Sequence, residues 1–166
     1  MTWTARASAS VTCTLASLAA SSGLTVGRCT EAIDNSANLD EVVLFGGKVK
    51  TGAANLQAGR IEAWVFAERE DGTWPELFTG SYTGSDGGFT ITERSVLLAG
   101  ARRIACIQTG TTQRDWVIAP VNLCEVLGGV FRKAGIFIVH NAHTSTNVWS
   151  ATAGDFVLTR KAYYRA

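Results

Sequence analysis

His140 and His143 are the only histidines in the chain, and they form an H-x-x-H pair. Imidazoles at that spacing can share one metal ion when they sit on a single helical turn, as in zinc peptidases that carry H-E-x-x-H on a helix. Here His140 closes an apolar run, Gly135 to Asn141, and no third ligand stands near it in sequence. The expectation is a histidine whose ring satisfies backbone groups at a strand end, with ligand or subunit contact as the other use. Glu68, Glu70 and Asp71 form an acidic cluster. A glycosidase needs two such groups held apart across a cleft. These three run from a strand end into a turn, where solvated carboxylates are ordinary. No Gly-x-Ser-x-Gly elbow occurs. Gly46-Gly47-Lys48 resembles the end of a phosphate loop, but Val42 stands where that loop requires its first glycine. The segment Ser81 to Gly88 offers only Asp86 to a calcium ion. The cysteines, Cys13, Cys29, Cys106 and Cys124, form no C-x-x-C pair and are expected to be buried free thiols of a reduced cytosolic product. The residues therefore point to no cofactor, no metal and no enzymatic activity.

These side chains hang on a chain of 166 residues, 46% apolar and 17% charged, which suits one domain with a sizeable core. Seventeen glycines against two prolines suit tight turns between strands. Net charge is +1 and no basic run exceeds two residues, so a surface that tracks nucleic-acid phosphates is not expected. No apolar run is long enough to span a bilayer, and no membrane partner is expected. Residues Leu15 to Ala20 have a signal-peptide flavour, but serine and threonine interrupt them and Arg6 is the sole early basic residue. Residues 1–22 are read as a first strand or an extended arm of the mature protein, and residues 23–166 as the sandwich itself.

Alternation supplies the elements. Strands are expected in Trp3 to Leu15, Gly27 to Ile33, Leu39 to Lys50, Arg60 to Arg69, Phe89 to Leu98, Arg103 to Gln108, Asp115 to Ala119, the run after Gly135, and Asp155 to Tyr164. Gly46-Gly47 suggests a bulge or bend within its strand. Pro120 is expected to stop the strand before it. Val121 to Leu127 reads as a short helix ended by Gly128-Gly129. The run Gly135 to Asn141 does not alternate, so it reads as a strand buried on both faces. Eight to nine strands, Gly-rich turns and at most one or two short helices describe an all-β antiparallel sandwich of jelly-roll type, with an immunoglobulin-like sandwich as the next candidate.

Two segments carry a resemblance. Arg60-Ile61-Glu62-Ala63-Trp64-Val65-Phe66-Ala67 runs into Asp71-Gly72-Thr73-Trp74-Pro75, and Leu127-Gly128-Gly129 later leads through Arg132 and Ala134 into Ile136-Phe137-Ile138-Val139-His140-Asn141. This order resembles small jelly-roll virion proteins of tailed bacteriophages, of the head-decoration or cement type. Leu127, Arg132 and Ala134 depart from the family's Phe, Pro and Trp. The resemblance implies a non-enzymatic protein on the exterior of the capsid, made in the host cytoplasm. Its partners would be the major capsid protein and further copies of itself. It implies no catalytic residues.

The contact residues expected on that reading are Trp3, Trp74, Tyr82 and Trp149. The last three fall in predicted loops, where an aromatic ring can meet a partner, cover the core or stack on a sugar. Competing readings are a tail or neck component built on a similar sandwich, a carbohydrate-binding module on the virion surface, and a glycosidase.

Overall fold

The computed structural model describes residues 2–52, 57–112, 114–142 and 149–165. His143 lies outside the described residues. In chain order the strands are β1 (Trp3–Ala5), β2 (Ala9–Ser10), β3 (Val26–Cys29), β4 (Ile33–Asp34), β5 (Val42–Lys50), β6 (Gly59–Ala67), β7 (Gly87–Thr90), β8 (Arg102–Thr109), β9 (Asp115–Asn122), β10 (Lys133–His140) and β11 (Val157–Arg165). Two short helices, α1 (Arg94–Gly100) and α2 (Leu123–Leu127), complete the described elements with a 3-10 turn at Ala153–Asp155.

Pairing is antiparallel throughout and divides the strands into two sheets. The first has the order β1-β11-β5-β9, with β2 also on β11. The second has the order β7-β3-β10-β6-β8, with β4 also on β10. Count β2 with β1 and β4 with β3, since each pair lies along one partner strand, and set aside the edge strand β7, and eight principal strands remain. Numbered along the chain, they run first-eighth-third-sixth in one sheet and second-seventh-fourth-fifth in the other. That order is two interlocked Greek keys, a jelly roll.

β10 sits in the middle of the second sheet, between β3 and β6. Seven of its eight residues are buried, which accounts for its unbroken apolarity. One face, with Ala134, Ile136 and Ile138, joins the core between the sheets, where Val43, Phe45, Ile61, Val65, Trp116 and Ile118 meet it. The other face, with Phe137 and Val139, meets a second core formed by Trp64, Phe66, Leu77, Tyr82 and Leu97. That outer layer consists of the long connection after β6 together with α1. Its rings meet edge to face: Phe66 lies 5.0 Å from Tyr82, 5.5 Å from Phe78 and 5.7 Å from Trp74. Gly135 makes the approach possible, since a Cβ there would lie 2.5 Å from Phe66 Cζ and 3.0 Å from the Tyr82 hydroxyl. The Tyr82 hydroxyl donates to Thr30 O at 2.8 Å and ties the layer to the sheet.

Several expectations are corrected. Phe89 to Leu98 is not one strand: β7 ends at Thr90 and α1 begins at Arg94, burying Leu97 and exposing Leu98. Trp3 to Leu15 contains two short strands, after which Val11 and Leu15 turn into the core as irregular chain. β9 continues through Pro120 to Asn122. Pro120 falls where the register of β5 and β9 shifts, so its missing N–H costs the ladder no bond. Cys29 and Cys124 are buried free thiols as expected, whereas Cys13 is half-buried and Cys106 is exposed on β8. The helix before Gly128 is present. Asn122 caps it by accepting from Cys124 N, and Gly128 ends it at φ +84°.

Candidate functional site

His140, Glu68 and Asp71 are engaged by the fold. His140 is fully buried; its Nε2 donates to Leu18 O at 3.0 Å and its ring stacks on Trp149 at 4.6 Å. Glu68 faces Lys133 Nζ at 3.5 Å. Asp71 accepts from Thr73 Oγ1 and Thr73 N within a turn whose Gly72 has φ +81°. Those bonds, the side-chain one foremost, hold its carboxyl below the usual range. Among the described residues no three His, Cys, Asp or Glu side chains converge as a metal would need. No helix of the described chain is long and apolar enough to cross a membrane.

Glu62 is a finding the alternation did not offer. It points away from the inter-sheet core, toward what a two-layer sandwich would leave to solvent, yet it is fully buried. Its Oε2 accepts from Trp64 Nε1 at 2.9 Å and Arg94 Nη2 at 2.6 Å. Arg60 Nε lies 2.9 Å from Oε1, aligned for an ion pair rather than a hydrogen bond, and Arg103 lies at 4.0 Å. Arg94 and Arg103 also lie over the Trp64 ring, 5.8 and 5.7 Å from its centroid. This carboxylate pins α1 to β6. With no exposed surface, it has no approach for a substrate.

The surface that stands out is the outer face of the first sheet. Strand pleating sends alternate residues outward. On β5 these are Leu44, Gly46 and Lys48; on β11 they are Val157, Thr159 and Lys161; on β9 Val117 stands beside Lys48. β5 and β9 shift register between Phe45 and Gly47, so that Ala119 and Pro120 share the place opposite Gly46. The extra residue belongs to β9, opposite Gly46, and not to the strand that carries the Gly-Gly pair, where a bulge or bend was expected. The bulged strand comes so close that a Cβ on Gly46 would lie 3.0 Å from Ile118 O and from Pro120 Cα. A Cβ on Gly47 would overlap Val157 O.

Over these glycines lies a groove of about 500 Å³, walled by Leu44, Val117, Pro120 and Val157. Val117 is 68% exposed and Val157 48%. Among the described residues, Lys48 and Lys161 are its charged lining residues and no carboxylate lines it. Neighbouring Lys50 is held by Asp155 at 3.1 Å. Hydrogen bonds from Ser150 and then Lys50 keep the Asp155 carboxyl below its ordinary range, with a weaker pull from Lys48. Trp3 extends the same face at its far edge, 51% exposed and 5.2 Å from Arg165.

Of the four expected contact residues, Trp3 alone lies on this face. Trp74 is half-buried against Phe66 and Tyr82. Tyr82 and Trp149 are corrected: at 4% and 1% exposure they belong to the cores, because the loops that carry them fold back over the sheets. The groove itself was missed. Its signal is apolar residues at outward positions of three paired strands, Leu44, Val117 and Val157, and it becomes visible only once the pairing is known.

No family model matches the chain, and no curated protein and no solved structure matches it.

Proposed function

We propose that the chain is a non-enzymatic structural protein of a tailed-bacteriophage virion, of the capsid-decoration type, which binds across junctions of the major capsid protein and so stabilises the head. The observation that carries this reading is the exposed apolar groove on the outer face of the first sheet. A chain that buries His140, Glu62 and most of its aromatic rings still leaves Val117, Val157 and Trp3 in water on one face. Such a face gains free energy when a second surface covers it. The two segments that resemble decoration proteins supply the choice of partner.

Stabilisation would follow from mass action. A ligand that binds the assembled shell and not the dissociated subunits contributes about 2.7 kcal/mol per site at a hundred times its dissociation constant. Repeated copies on a symmetric shell add avidity. The test uses expanded heads that lack this chain. The purified protein is expected to cosediment with them to saturation and to raise their melting temperature. Absence of cosedimentation would overturn the reading. Rings or tubes formed by the chain alone would favour a tail component instead. Binding to a glycan array that is lost in Trp74→Ala would favour a carbohydrate-binding module.

A further inference from the structure

We infer that the groove receives an extended segment of a partner protein that carries two carboxylates four residues apart, with an apolar side chain midway between them. The inference deepens the decoration reading and rests on it for where the segment comes from: an exposed strand or arm of the shell protein.

The geometry sets this pattern. Lys48 is aligned with Val157, Gly46 with Thr159, and Leu44 with Lys161. The two lysines therefore stand at opposite ends of the groove, on adjacent strands, four residues apart along the strand direction. At a rise of about 3.3 Å per residue that is about 13 Å. Gly46 lies midway, on the floor of the groove next to Pro120. An extended segment has the same repeat: residues i, i+2 and i+4 face one side. Carboxylates at i and i+4 can reach the two ammonium groups while an apolar residue at i+2 enters the hollow beside Pro120. The match holds for a segment that lies along the strands, the aligned arrangement of face-to-face β packing.

The charge decides between occupants. The same face of a second copy would set Lys48 and Lys161 against lysines, with no carboxylate in the lining to offset them. A small free anion would answer the lysines and leave the apolar walls wet. A segment both acidic and apolar answers both.

The experiment uses a fluorescent, end-blocked peptide, Thr-Asp-Thr-Leu-Thr-Asp-Thr, and its charge-inverted twin, Thr-Lys-Thr-Leu-Thr-Lys-Thr. Anisotropy is read against the full chain and against the double variant Lys48→Glu/Lys161→Glu, at low salt. The acidic peptide is expected to bind the wild type saturably and the variant roughly tenfold more weakly or worse. The basic peptide should show the reverse preference. Equal binding of the two peptides to the wild type overturns the inference, and so does a failure of the acidic peptide to saturate at millimolar concentration. Both readouts hold even if the variant does not fold.

Cosedimentation with expanded heads separates this inference from the reading beneath it. Heads that bind wild type and folded variant alike sink the groove and leave decoration standing. Heads that bind neither, while the acidic peptide fills the groove, sink decoration and leave the groove standing.

Discussion

Replacing Glu62 by glutamine removes one negative charge and little volume from the junction of β6 and α1. The carboxylate accepts from Trp64 at 2.9 Å and from Arg94 at 2.6 Å, and it faces Arg60 at 2.9 Å. Breaking a fully buried ion pair costs about 3–5 kcal/mol. Here only the acid is fully buried; the side chains of Arg60, Arg94 and Arg103 are 40%, 30% and 48% exposed. Each guanidinium can turn to water once its partner is neutral, which lowers the cost. What remains is chiefly the charge-assisted bond to Arg94, about 1.5–3 kcal/mol, since the amide oxygen can still accept from Trp64. The expected loss is therefore about 2 kcal/mol. At about 2–4 °C per kcal/mol for a chain of this size, the melting point should fall by about 4–8 °C. Urea denaturation at neutral pH gives the free energy directly. The loss should change less between low and high salt than that of an exposed pair, because a partly buried pair is screened less. Arg94→Gln alone, and both substitutions together, complete a cycle that should show coupling of about 1 kcal/mol or more. Amide exchange across residues 94–100 should quicken, because α1 has no side-chain cap of its own. A Glu62→Gln protein that melts within a degree of the wild type would refute the argument, since the carboxylate would then have to be hydrated in solution.

Gly135→Ala should lower the urea midpoint by the equivalent of about 1–3 kcal/mol, because its Cβ would press on the locked Phe66 ring 2.5 Å away; an unchanged midpoint would mean that the outer layer is loose. Asp86 takes Arg28 Nε at 2.9 Å and Thr14 N at 3.0 Å; burial opposes its ionisation, but the bonds from Arg28 and then Thr14 outweigh it and leave its pKa below the ordinary value. Its contribution to stability is thus present above the unfolded pKa of about 4 and is lost as pH falls through the lower folded value, so Asp86→Asn should be less stable than wild type at pH 7, with the gap closing below about pH 4 in thermal melts. Exposed Cys106 should react quickly with a disulfide reagent in the native protein, while burial, which pushes the Cys13 and Cys29 thiols far up, should keep both silent until the chain is unfolded; a rapid second thiol would contradict the packing around Cys13.

β10 was legible because burial on both faces writes itself as an unbroken apolar run, and α2 because Gly128 marks its end. That the ladder breaks near Gly46-Gly47 was legible because a pair of glycines in a strand has few other uses; that the extra residue sits on β9 was not. The stretch from Phe89 to Leu98 was not. Val96, Leu97 and Leu98 are consecutive apolar residues, and only the docking of Leu97 on the outer core decides that they are helical. The full burial of Glu62 was out of reach for a related reason. Alternation puts it on the side of its strand that Trp64 and Phe66 make half buried, but α1, some thirty residues downstream, closes that side through Arg94. Tyr82 and Trp149 failed in the same way, since nothing local in a loop says whether it folds back over a sheet. The groove depends on three strands from distant parts of the chain, so no single window of sequence contains it.

β10 pairs with β3, β4 and β6, and β11 pairs with β1, β2 and β5. Each sheet is therefore joined together by a strand that leaves the ribosome late. Before residue 133 is made, the ladders among the described residues that can form are β3·β7, β6·β8 and β5·β9, three separate ribbons with apolar faces in water. Folding must close loops that reach from Trp3 to Arg165, a topology that proceeds in milliseconds to seconds rather than microseconds. The nascent chain is most prone to aggregate in that interval, and overproduction should be more tolerant of slow synthesis at low temperature than of any change made to the finished surface.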